Sequence, residues 1–136
     1  MKYIVIFASG AGTNAENIIR YFSNEKKAKV TLVLSNKPQA KVLERAAALG
    51  VDSVFFDRRQ FYETGEVQLM LRDRKTDLIV LAGFLWLVPQ PIIDEYRGRI
   101  INIHPALLPL FGGMGMYGER VHRAVLDAGH TESGIT

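Results

Sequence analysis

The chain has 136 residues, 48% of them hydrophobic, no cysteine and a formal net charge of +3. That length suits one domain with a sizeable core, no apolar run is long enough to cross a bilayer, and the charge is too small and dispersed for a nucleic-acid footprint. Without cysteine there is no disulfide, thiolate nucleophile or cysteine-bound metal, which fits a reducing, cytoplasmic setting. The basic clusters Lys26-Lys27 with Lys29 and Arg72 with Arg74-Lys75 read as solvated surface. An anionic small molecule remains compatible.

The first apolar run, residues 3–8, is followed at once by glycines and an amphipathic segment, as after a buried strand and not after a secretory leader. A first helix is predicted over 14–22, with Ala15, Ile18, Ile19 and Phe22 as its buried stripe and Thr13 with Glu16 as a capping box. A strand at 30–34 leads to a helix over 38–49, with Pro38 in its first turn and Gly50 in the left-handed position after its end. Next come a strand at 54–56, a helix over 60–74, a strand at 78–82, a helix over 91–96 and a strand at 100–103. The glycine-rich residues 112–118 read as a loop over the sheet edge. A last helix is predicted over 117–128, with Val121, Ala124, Val125 and Ala128 on one face. Continuous apolar strands alternating with helices predict a doubly wound, mainly parallel α/β sheet in a single domain over residues 1–136.

Three stations in this order carry chemistry. Ser9-Gly10-Ala11-Gly12-Thr13-Asn14 joins the first strand to the first helix, where unpaired N–H groups and the positive end of the helix dipole favour an anion, phosphate above all. Gly10, Gly12 and Ala15 also satisfy the dinucleotide pattern G-x-G-x-x-A. The second strand, however, ends in Leu34-Ser35-Asn36-Lys37, with no carboxylate for a ribose, so a phosphate monoester is favoured over a dinucleotide. A glycine turn with no ligand is the plainer alternative. Leu81-Ala82-Gly83-Phe84-Leu85-Trp86-Leu87-Val88-Pro89 keeps large apolar side chains past a strand end, where a flat heteroaromatic ligand can lie, with Gly83 allowing close approach. Leu85 and Leu87 taken alone read equally well as core. Asn102 and His104, two apart at the end of the last strand, share a face, and Pro105 and Pro109 hold the backbone beyond them extended or turned. An amide donor beside a titratable imidazole suits oxyanion stabilisation and proton movement in acyl transfer. His122 and His130 have no metal-ligand spacing to His104, so no metal site is expected.

Together these stations resemble the phosphoribosylglycinamide formyltransferases, folate-dependent enzymes of purine synthesis, and the resemblance covers essentially the whole chain. The Asn102-Ile103-His104-Pro105 station is similar across folate-dependent formyl transferases and hydrolases, and the glycine loop narrows the match; Met116-Tyr117-Gly118 through His122 resembles the family's substrate loop and its adjoining helix. The resemblance implies that Gly12, Thr13 and Asn14 hold the phosphate of glycinamide ribonucleotide. It implies that Leu85, Trp86, Leu87 and Val88 line the pterin pocket of the cosubstrate 10-formyltetrahydrofolate, with Arg59 near it. Asn102 and protonated His104 would stabilise the oxyanion at the formyl carbon, Asn102 also contacting the folate, while a carboxylate sets the state of His104.

Gly134-Ile135-Thr136 resembles the start of the signature that brings that carboxylate, so the sequence is expected to break off before it, without its last strands and with little or no activity in this form. Neither Asp77 nor Asp127 stands at the matching place. Leu110 and Met114 stand where relatives often carry lysine, and Trp86, where some carry arginine, is expected to change only the pocket wall. The rival readings are a formyltetrahydrofolate hydrolase, against which the glycine loop argues, and a non-catalytic nucleotide or sugar-phosphate binding domain. The expected partners are small molecules, with no nucleic acid and no membrane; the oligomeric state is open, a homodimer included.

Overall fold

The computed structural model describes residues 1–103, of which Met1–Ile101 form one compact unit and the residues from Asn102 onward belong to a second. His104, the 112–118 loop and the 117–128 helix lie outside the described residues. The elements are β1 (Lys2–Phe7), α1 (Thr13–Phe22), β2 (Ala28–Ser35), α2 (Lys41–Ala48), β3 (Asp52–Phe55), α3 (Arg58–Tyr62), α4 (Glu66–Asp73), β4 (Leu78–Ala82), α5 (Gln90–Glu95) and β5 (Ile100–Ile103). The strands form a five-stranded sheet in the order β3-β2-β1-β4-β5. β1 runs parallel to both β2 and β4, and β2 parallel to β3.

The continuous apolar runs follow from burial on both faces of this sheet. Val5 and Phe7 of β1, Leu32 and Leu34 of β2 and Ile79 of β4 pack with Phe56, Phe61 of α3, Val67 and Leu71 of α4, Ile92 of α5 and Tyr96 at its end. Their alternates Ile4, Ile6, Val33 and Val80 are buried too, as are Ala15 and Ile19 of α1 and Val42 and Ala46 of α2. Since α1 and α2 pack on each other and on β2, the helices divide between the two faces, which is the doubly wound arrangement. No helix among the described residues is long and apolar enough to cross a membrane.

Three predicted helix features are corrected. The Thr13–Glu16 capping box does not form, because α1 starts one residue earlier than such a box requires. Gly12 at φ 80° is the N-cap and makes no side-chain cap bond, and Thr13 is already helical. Glu16 instead receives Arg20 at 3.3 Å and, from α2, Arg45 at 2.8 Å. The second helix begins at Lys41 and not at Pro38, since Ala40 N–H closes a turn onto the Lys37 carbonyl (3.2 Å) before the helix starts. The predicted helix over 60–74 is two helices. Gly65 at φ 74° breaks it and caps α4, while a reciprocal Asp57–Gln60 capping box starts α3 at Arg58.

Candidate functional site

Parallel pairing brings the carboxyl ends of β2, β1 and β4 to one edge of the sheet, and β1, with β2 on one side and β4 on the other, is where the strand order reverses. Open α/β sheets bind ligands in that crevice. Ser9 stands at its centre and is 4% exposed. Its hydroxyl donates to Asn36 Oδ1 at 2.6 Å, at the end of β2, and accepts from the Leu85 N–H at 2.9 Å, beyond β4. Its own N–H donates to the Gly83 carbonyl at 3.1 Å. Sequence reasoning missed this junction, because Ser9, Asn36 and Leu85 meet only once the strands are paired.

On one side of Ser9 lies the glycine loop. The Gly12 carbonyl accepts the Glu16 N–H at 2.8 Å, the first bond of α1, and the Gly10 carbonyl accepts the Val42 N–H at 3.2 Å. That leaves the N–H groups of Thr13 and Asn14 without a partner among the described residues, on exposed residues at the positive end of a ten-residue helix. Gly12 has two reasons to be glycine: its φ of +80°, and a Cβ there that would lie 2.5 Å from Val42 Cγ2 and 2.8 Å from Val42 Cα.

On the other side lies the apolar segment after β4. Phe84, Trp86 and Val88 turn inward against the core, whereas Leu85 is 43% and Leu87 84% exposed, so these two are not core residues. Gly83 adopts φ +70°, and a Cβ there would meet no atom within 4 Å, which leaves open space above it. The Tyr62 hydroxyl donates to the Leu87 carbonyl at 2.6 Å and ties the segment to α3. Burial raises the pKa of that hydroxyl, with the nearby Arg58 charge opposing the rise. The guanidinium of Arg58 lies 4.5 Å over the Trp86 ring. Arg59, the residue singled out from sequence, is exposed, and its side chain makes no hydrogen bond or ion pair among the described residues. The i, i+4 spacing of Arg58 and Tyr62 is the sequence signal that places both on the Trp86 side of α3.

Asn102 is the third of the four residues of β5. Gly12, Thr13 and Asn14 are therefore brought to the same sheet edge as Leu85, Trp86, Leu87 and Val88. A cavity of about 430 Å³ lies at the opposite edge among Tyr3, Lys29, Thr31, Asp52, Arg74 and Lys75. Arg74 there is already spent on the Thr31 carbonyl at 3.1 Å and on Asp52 at 2.8 Å, and the cavity lies away from the carboxyl ends of the strands. The carboxyl edge, with the N–H groups of a helix start unpaired among the described residues and an apolar wall either side of Ser9, is the better candidate.

The model of the formyl transferase family matches residues 2–136. The chain is 38% identical over 137 residues to the phosphoribosylglycinamide formyltransferase of Bacillus subtilis, a match that covers 96% of this chain and 70% of that protein. Among solved structures it is similar to the phosphoribosylglycinamide formyltransferase of Brucella melitensis, at 38% identity and a TM-score of 0.86 over 99% of this chain and 70% of that one. It is also similar to glycinamide ribonucleotide transformylase 1 of Symbiobacterium toebii, at 32% identity and a TM-score of 0.87 over 100% of this chain and 64% of that one. Against curated relatives the chain spans from 70% of the Bacillus protein down to 10% of a trifunctional purine biosynthetic protein.

Proposed function

Because the chain belongs to the formyl transferase family, we propose that it serves as a phosphoribosylglycinamide formyltransferase, moving a formyl group from 10-formyltetrahydrofolate to the amine of glycinamide ribonucleotide in purine biosynthesis. In this reading the backbone N–H groups of Gly12, Thr13 and Asn14 hold the ribonucleotide phosphate. Leu85, Trp86, Leu87 and Val88 line the pterin pocket, with Arg59 at its rim. The amine attacks the formyl carbon, a new N–C bond forms, and the folate N10 leaves with the proton the amine gives up. Asn102 and His104 stabilise the oxyanion between these events, and His104 moves the proton. The reaction runs in the cytoplasm on small molecules alone.

The observation that carries this reading is the pairing of two unlike surfaces at one strand edge. An anion site of backbone N–H groups suits a phosphorylated substrate, and an exposed apolar wall suits a flat ring. Titration of the chain with glycinamide ribonucleotide and, separately, with 5-formyltetrahydrofolate tests it. Binding of both supports the transferase, binding of the ribonucleotide alone indicates a sugar-phosphate binding domain, and binding of the folate alone indicates a hydrolase.

A first expected outcome concerns Leu87. Its side chain is 84% exposed, so Leu87→Asp is expected to leave the melting temperature nearly unchanged. Covering a leucine with a ligand contributes about 1.5–3 kcal/mol, so the substitution is expected to weaken folate binding roughly 10-fold or more while sparing the ribonucleotide. Equal loss of both ligands from a folded variant would show that this segment is no separate pocket.

A further inference from the structure

Asn36 is 6% exposed, and its Nδ2 is buried with no hydrogen-bond partner among the described residues. Exchanging the amide oxygen and nitrogen leaves one buried function unpaired just the same. A buried polar pair with a function left over is less stable than an apolar pair of the same shape. Stability alone therefore does not account for Ser9 and Asn36. What the pair does hold is the Leu85 N–H, on a residue whose side chain stands exposed in the apolar wall, and through Ser9 the first residue of the glycine loop.

We propose that Ser9, braced by Asn36, is a positioning residue that fixes the Gly83–Leu85 turn against the glycine loop, and so sets the distance between the two bound substrates. The inference rests on the transferase reading. The Ser9 hydroxyl has one hydrogen, given to Asn36 Oδ1, and its lone pairs receive Leu85 N–H, so the orientation of the hydroxyl follows from Asn36 and the position of Leu85 follows from the hydroxyl. Both bonds of the Ser9 hydroxyl are made within this arrangement. Its effect is geometric, and a misplacement of about 1 Å between reacting groups costs on the order of 100-fold in rate.

The variant that separates positioning from stability is the double substitution Ser9→Ala with Asn36→Leu. It removes both polar partners together and leaves only the Leu85 N–H, on a residue that is 43% exposed. The double variant is expected to melt within a few degrees of the wild type and to bind each ligand alone within about threefold. Its kcat at saturation with both substrates is expected to fall roughly 10- to 100-fold. Hydrogen exchange supplies a readout that needs no activity: the Leu85 amide is expected to be protected in the wild type and to exchange at least about tenfold faster in Ser9→Ala, with the amides of β1 and β4 unchanged. An unchanged kcat, or a Leu85 amide equally unprotected in both proteins, overturns the proposal. A wild type that binds ribonucleotide and not folate overturns the transferase reading itself, and the exchange measurement still reports on the Ser9 junction.

Discussion

Replacing His104 or Asn102 by alanine is expected to lower formyl transfer roughly 10²-fold or more in each case, the range for losing a general acid–base group or one oxyanion donor. The expectation comes from a dipole and a titratable ring two residues apart, Asn102 in β5 and His104 the next residue in sequence after that strand. As a carbonyl carbon becomes tetrahedral its oxygen gathers negative charge, and a donor already in place stabilises that charge without reorganising. The measurement is kcat and kcat/KM for 10-formyltetrahydrofolate and glycinamide ribonucleotide. In the proposed mechanism the two groups act on one oxygen, so their losses are expected to combine less than additively. Binding of the ribonucleotide is expected to survive both substitutions, since its phosphate is assigned to the glycine loop. Alanine variants that keep full rates would remove both residues from the chemistry, and a protein with no formyl transfer at all would leave the binding-domain reading standing.

The strands were legible because burial on both faces writes itself as uninterrupted apolar sequence. β4 and β5 fall at the bounds the apolar runs give, while β2 begins two residues early, at Ala28. There Ala28 and Lys29 pair with Lys2 and Tyr3 through backbone bonds that hydrophobicity does not encode. Helix starts were less legible for a related reason. Thr13 and Glu16 have the spacing of a capping box, but the left-handed Gly12 takes the N-cap and makes the box geometrically impossible. In α3 the Asp57–Gln60 box sets a start that periodicity from Gln60 onward overlooks. That is why Arg58, and not Arg59, is found over Trp86.

The candidate site divides along the same line. The glycine loop and the apolar wall are local signals, readable from a glycine that needs positive φ and from leucines that run on after a strand. The Ser9–Asn36–Leu85 junction joins residues 27 and 76 apart in sequence, and no local pattern announces such a contact. It depends on the strand order, which fixes which ends are neighbours.

Gly12→Ala is expected to be the most damaging single-methyl change at this edge, destabilising the fold by about 2–5 kcal/mol. Two costs add. Holding a residue with a Cβ in the left-handed region costs about 1–2 kcal/mol, and forcing a methyl into a filled space about 1–3 kcal/mol. The second cost is not easily relieved, because the new Cβ would lie 2.5 Å from Val42 Cγ2 and also 2.8 Å from Val42 Cα, so trimming Val42 to alanine leaves the backbone clash in place. Either α1 or α2 must then move, and the N–H groups of Thr13 and Asn14 move with α1. The proposed phosphate site is thus expected to weaken beyond what the lost stability accounts for. Gly10→Ala is the matched control: Gly10 is not among the glycines with positive φ, and a Cβ there meets nothing within 4 Å, so its change is expected to stay within roughly 0.5 kcal/mol of the wild type. Urea denaturation of the two variants, with phosphate titrated into whichever remains folded, makes the comparison. Equal stability of the two would mean that α1 and α2 approach less closely than the Gly12–Val42 contact requires.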